Sequence, residues 1–235
     1  MSRFTTVVSS LYRSGVGYSS CDIVGEANAN NCYPAISCSV SGGNSCSGVT
    51  DASASYACTA DVKYYADPTV DGDTYSAQNW LNTFKANDEA LNDAQTISTG
   101  VEMNDLLAMD IGSSLAFGNL SAGQSLSPLS ALTIVTATGN IGLDEELSGT
   151  HMYSVGSTIS VENQRYALAA STAYGSGTPL STSAIGVSLS CAKTTTDTGT
   201  TKPTYWGISI PFGTIAGTYG GTNTVTAFKS DFSRW

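Results

Sequence analysis

The chain has 235 residues, 41% hydrophobic and only 12% charged, with nine basic against nineteen acidic residues and a formal net charge of −10. Cations so few and scattered form no stripe able to neutralise a nucleic-acid backbone or dock on anionic lipid, which excludes both as partners. The scarcity of Lys, Glu and Arg also excludes long amphipathic helices, while the length suits two domains of roughly 100 residues, each large enough to bury its own core.

Ser, Thr, Gly, Val, Tyr and Ala take the place of the charged residues, as in short strands with hydroxyls outward and glycine at the corners, so the expected class is all-β. Residues 4–12 are β-branched and aromatic without helical periodicity, and residues 13–17 break them, predicting a first strand and turn. Residues 28–50 are Asn, Cys, Ser and Gly with short apolar pieces such as 33–40, predicting disulfide-stapled loops around one or two strands. Cys58, Ala60, Val62 and Tyr64 then alternate with Thr59, Asp61, Lys63 and Tyr65, the period of a half-buried antiparallel strand. Residues 67–73 read as a turn and 75–86 as a returning strand, with Trp80 and Phe84 as core anchors. The acidic, aperiodic stretch 87–105 reads as a short helix or a hairpin arm, and the domain boundary is placed at its end, giving domains 1–105 and 106–235.

Seven strand-like segments follow at regular intervals: 106–111, 130–138, 141–147, 158–169, 185–191, 205–211 and 218–228. That number, with glycine-bearing turns between, is a sandwich count. In one of them Trp206, Ile208 and Ile210 share a face and Gly207 and Ser209 the other. The halves also echo each other: Tyr64, Tyr65, a Pro/Gly corner and Tyr75 parallel Tyr205, Trp206, a Pro/Gly corner and Tyr219, which suggests a similar closing hairpin in each.

Cys21, Cys32, Cys38, Cys46 and Cys58 crowd into the first 58 residues and Cys191 stands far behind, with no CxxC and no histidine partner for zinc. Disulfides are the reading, and with them an extracellular or cell-surface location. Five in one segment requires that one pair with Cys191, pair with another chain, or stay free. Residues 1–4 carry no apolar stretch like a signal peptide and no run of 18 apolar residues occurs, so a mature or trimmed chain with no membrane-spanning segment is expected.

The phrase Thr136-Ala-Thr-Gly-Asn140 ahead of residues 141–152 resembles the strand, turn and strand of bacterial immunoglobulin-like surface modules, and residues 211–226 resemble their terminal hairpin. Gly139 and Asn140 tolerate positive φ, which lets neighbouring strands reverse. Together with Leu11-Tyr-Arg-Ser-Gly-Val-Gly17 and Tyr65-Ala-Asp-Pro68, these phrases make the chain similar to uncharacterised secreted bacterial surface proteins. The resemblance implies two immunoglobulin-like β-sandwich domains in tandem, the first disulfide-stapled, and carries over no activity and no functional residue.

Chemistry has little to work with. His151 is the only histidine and no serine sits in a G-x-S-x-G elbow, so it reads as a turn residue beside Gly149 and Thr150. No phosphate loop and no G-x-G-x-x-G occur. Asp67, Asp71 and Asp73, joined by Asp61, are weak calcium candidates, because hard cations take several oxygen ligands, but Asp-Gly-Asp is also ordinary turn chemistry. Asp144, Glu145 and Glu146 read as a solvated strand edge that discourages unwanted sheet extension. No catalytic residue and no cofactor are assigned. Tyr64, Tyr65, Tyr75, Trp80, Tyr205, Trp206 and Tyr219 hold the material for a sugar-stacking platform, with core the preferred assignment for most. The expected function is a non-enzymatic structural or adhesive subunit that self-associates, with residues 4–12 or 218–228 exchanged between copies to build a filament. The alternative is a carbohydrate-binding module of a larger secreted protein.

Overall fold

The computed structural model describes residues 4–21, 28–42, 53–88 and 93–230. It is all-β, and its chain divides into two units, Met1–Asp105 and Leu106–Trp235. Among the described residues no helix is long and apolar enough to cross a membrane.

In the first unit, strands β1 (Phe4–Arg13), β2 (Cys32–Val40), β3 (Tyr56–Cys58), β4 (Trp80–Asp88) and β5 (Asp93–Ile97) form one antiparallel sheet in the order β3-β2-β1-β4-β5. The β-branched run that predicts β1 puts it in the middle of the sheet, paired with β2 on one side and β4 on the other. A single helical turn, α1 (Tyr18–Cys21), joins Tyr12 and Cys32 in a small core, where the disulfide Cys21–Cys32 closes. The second bridge, Cys38–Cys58, links β2 to β3 at residues directly opposite in the register. Cys46 lies outside the described residues. Trp80 is the buried anchor expected, its Nε1 donating to Asp67 O at 2.9 Å, whereas Phe84 is only half-buried.

Three expectations for this unit change. The alternating run 58–65 is no strand beyond Cys58: Ala66 N bonds back to Lys63 O and Asp67 N reaches Asn30 O, so the chain leaves the sheet. Residues 65–69 are all buried, which consecutive strand residues cannot be when one face meets solvent. Tyr64 and Tyr65 therefore sit in a coil while Tyr205 and Trp206 sit in a strand, and the echo between the halves is one of letters only. The returning strand begins at Trp80, because residues 70–78 are occupied by successive turns, and within the 87–105 stretch, of which 89–92 lie outside the described residues, Asp93–Ile97 forms the hairpin arm β5. Among the described residues this unit has one sheet, packed against α1 and the 59–79 segment, with no second sheet facing it.

The second unit has two sheets. One contains β6 (Met109–Ile111), β7 (Ala131–Ala137), β11 (Gln164–Ala167), β12 (Thr178–Pro179) and β14 (Thr200–Ile208), in the order β12-β11-β14-β7-β6. The other has β8 (Leu143–Gly149) between β13 (Ile185–Cys191) and β15 (Asn223–Lys229). A small hairpin of β9 (Met152–Ser154) and β10 (Ser157–Ile159) lies outside both. Leu147 and Val187 from the three-stranded sheet join Tyr166 and Trp206 from the five-stranded one in a common core, so the unit is sandwich-like. The predicted strand 158–169 is two strands parted by a 3-10 turn at Val161–Asn163.

The turn at 138–142 is not a hairpin, since β7 and β8 belong to different sheets and the chain crosses between layers there. Neither Gly139 nor Asn140 adopts a positive φ. The glycine is needed for another reason: a Cβ at Gly139 would lie 1.9 Å from the Leu106 carbonyl oxygen. Asn140 N donates to that same oxygen and Asn140 Oδ1 accepts from Leu106 N at 2.6 Å, which locks the corner. The expected terminal hairpin is likewise a crossing, because β14 and β15 lie in opposite sheets.

Candidate functional site

The second unit holds a cleft of about 640 Å³ lined from both of its sheets. Thr133 and Trp206 line it from the larger sheet, Leu115 and Phe117 from the segment after β6, and Asn223 and Val225 from β15. Along β15 burial alternates, with Asn223 and Val225 half-buried and Thr224 and Thr226 exposed, as a one-sided strand requires. Trp206 is 0% exposed and its indole N–H is engaged by Thr133 Oγ1 at 2.8 Å.

Gln164 is the lining residue contributed by β11. It follows the 3-10 turn, opens β11 and is 2% exposed, with its Oε1 accepting from Asn223 Nδ2 at 2.9 Å. The amide contact uses only half of each group: Gln164 Nε2 and Asn223 Oδ1 are buried and have no hydrogen-bond partner. A buried amide donor left unpaired costs about 1–3 kcal/mol. No Asp, Glu, Lys, Arg or His lines the cleft, so its polar groups are hydroxyls and amides.

Of the residues singled out from the sequence, Trp206 lines the cleft and the others lie elsewhere. Asp67 is buried in an ion pair with Arg13, Nε to Oδ2 at 3.1 Å, and that guanidinium also donates to Gln78 Oε1 and stacks 3.6 Å over the Tyr75 ring. Its charge is thus neutralised by a cation of the chain itself. Asp73 is buried and Asp71 and Asp61 are exposed, and among the described residues no three His, Cys, Asp or Glu side chains gather as a metal site would require. His151 holds structure: its Nδ1 accepts from Val161 N at 3.0 Å, tying β9 to the 3-10 turn.

The acidic triplet is not a solvated edge. β15 covers the outer side of β8, making it a middle strand, and Asp144 and Glu145 are buried while Glu146 is half-buried. Asp144 Oδ1 accepts from Ser190 N at 2.6 Å, where the β13 register slips between Val187 and Cys191 and Ser190 takes a φ of 55°. Glu145 Oε1 accepts from Thr204 Oγ1 at 2.6 Å, and its Oε2 has no partner. Burial pushes the Glu145 carboxyl above the usual carboxylate range, with the Thr204 hydrogen bond opposing and the Asp144 charge reinforcing it.

Cys191 is not bridged. It is a free thiol with 0% exposure in the core beside Leu189 and Val135, and burial raises its pKa. Of the aromatics weighed as a platform and preferred as core, Tyr65, Trp80 and Trp206 are buried and Tyr64, Tyr75, Tyr205 and Tyr219 half-buried. Sequence reasoning missed Gln164 and Asn223 altogether. A lone Gln at a strand start and an Asn after glycines carry no local signal, and only the fold brings their amides together. No protein-family model, curated protein or solved structure matches the chain.

Proposed function

We propose that this protein is a non-enzymatic extracellular structural or adhesive subunit, its second unit an immunoglobulin-like module, that recognises partners with surfaces rather than reactive groups. The observation that carries this reading is the employment of buried ionisable groups and of the half-buried histidine: Asp67 holds Arg13, Asp144 holds a β-bulge, Glu145 holds Thr204 and His151 holds Val161 N. A catalytic acid or base has to face a reacting atom, and these face the backbone and each other. The two disulfides support export, since such bridges persist in oxidising compartments.

Self-association is part of the reading. Among the described residues β13 and β15 pair with β8 alone, and Val155 and Phe212 stand 97% and 90% exposed. Open strand edges and solvent-facing large apolar groups favour contact with another chain. Of the two strands considered for exchange, β1 is held on both sides by β2 and β4, which leaves β15 as the one able to engage a neighbour. Size-exclusion chromatography and electron microscopy of the oxidised full chain over rising concentration test this, with oligomers or filaments expected; compact monomers throughout remove the assembling version. The second reading, a carbohydrate-binding module, has lost the aromatic platform but gains the uncharged cleft.

A further inference from the structure

We infer that the cleft of the second unit is a binding site for a neutral saccharide, seated against the paired amides of Gln164 and Asn223; this rests on the non-enzymatic extracellular reading above. Four observations converge. The cleft volume of about 640 Å³ falls in the range of small-molecule sites, roughly 300–1,000 Å³. It presents no charged side chain, so an anionic or cationic ligand would shed its hydration and meet no counter-charge. Two of its lining residues carry one buried amide donor, Gln164 Nε2, and one buried amide acceptor, Asn223 Oδ1, each without a hydrogen-bond partner. Leu115, Phe117, Met152 and Val225 supply apolar wall beside the hydroxyls of Ser113 and Thr222.

A saccharide hydroxyl is both donor and acceptor, so a cluster of them satisfies an orphan N–H and an orphan C=O together, which neither a hydrocarbon nor an ion does. The C–H face of a pyranose ring then lies on the apolar wall.

The test is titration of the full-length, oxidised protein with a panel of neutral oligosaccharides built on glucose, galactose, mannose and N-acetylhexosamines, by array and then calorimetry, with sialylated and sulfated glycans and an uncharged extended peptide as comparators. Neutral glycans are expected to bind. Gln164→Leu and Asn223→Leu, which retain volume but remove the amides, should each weaken binding at least about tenfold, the value of one charge-free hydrogen bond left unmade. Phe117→Ala, at the half-buried wall, should weaken it several-fold and guards against a folding failure at the buried positions. Binding unchanged in all three variants overturns the inference, as does binding confined to charged glycans or to the peptide. Retention of no neutral glycan at millimolar concentration overturns it too, with the amides then satisfied by water only. A protein that assembles or adheres yet retains no neutral glycan refutes this site and leaves the structural reading standing, whereas a catalytic turnover of any glycan would refute that reading itself.

Discussion

Thr204 Oγ1 donates a 2.6 Å hydrogen bond to Glu145 Oε1 across the layer between the two sheets of the second unit, and both residues are fully buried. Each lies on a different sheet, so the bond stitches the sandwich through its interior. Removing the donor in Thr204→Val strands the carboxyl and should cost about 1–3 kcal/mol, read from urea denaturation at neutral pH.

The same carboxyl sets a pH dependence. Because burial raises its pKa, the folded protein keeps the proton where the unfolded chain has lost it. Stability therefore falls as pH rises from the ordinary glutamate range, about 4.3, to the raised value, and this group contributes no slope below that window. Glu145→Gln keeps an acceptor for Thr204 and removes the titration, so its stability curve should be flatter through the window and higher above it, by about 1.4 kcal/mol for each tenfold of proton affinity lost. Parallel curves for the variant and the parent, measured by denaturant titration from pH 4 to 8, would falsify the assignment.

Cys191 Sγ lies 3.4 Å from Thr200 O and burial disfavours its thiolate. Alkylation of the folded protein should leave the Cys191 peptide unmodified under conditions that label it after denaturation, with a rate at least about tenfold lower in the native state. Peptide mapping reads this site separately from Cys46. Native labelling at the unfolded rate would mean that the β13 wall opens easily.

The Arg13–Asp67 pair explains why the aspartate-rich corner is a structural element. Arg13→Met leaves Asp67 buried without its cation and should cost about 3–5 kcal/mol. Asp67→Asn should cost less, since Arg13 keeps Gln78 and the Tyr75 ring. Millimolar calcium should leave the thermal midpoint of the parent unchanged, and an upward shift of several degrees would instead place a bound cation at this corner.

Gly139 is required by contact distance. Gly139→Ala drives a methyl into the Leu106 carbonyl oxygen and should destabilise the protein by more than about 3 kcal/mol, while Gly175→Ala, where a Cβ meets nothing within 4 Å, should be close to neutral. Equal thermal midpoints for the two variants would show that the 138–142 corner can move aside.

Composition and two-residue alternation carry the all-β class and most strands of the second unit, down to 185–191, which coincides with β13. That segment is legible because one face meets the core and the other solvent: Val187, Leu189 and Cys191 are buried, and Gly186 and Ser188 exposed. The same alternation misleads at 58–65, where the half-buried Tyr64 and the buried Tyr65 lie outside any strand, and it is silent on which strand lies beside which. Placing β1 centrally rather than at an edge, setting β8 between β13 and β15, and turning an acidic triplet inward all follow from sheet pairing, a property of distant partners. Glu145 and Thr204 are 59 residues apart, and so are Gln164 and Asn223. Local propensity acts over a turn or a strand, whereas meetings of that range are settled by which arrangement buries the common core and satisfies its polar groups, so both the interior stitch and the cleft came into being with the packed sandwich.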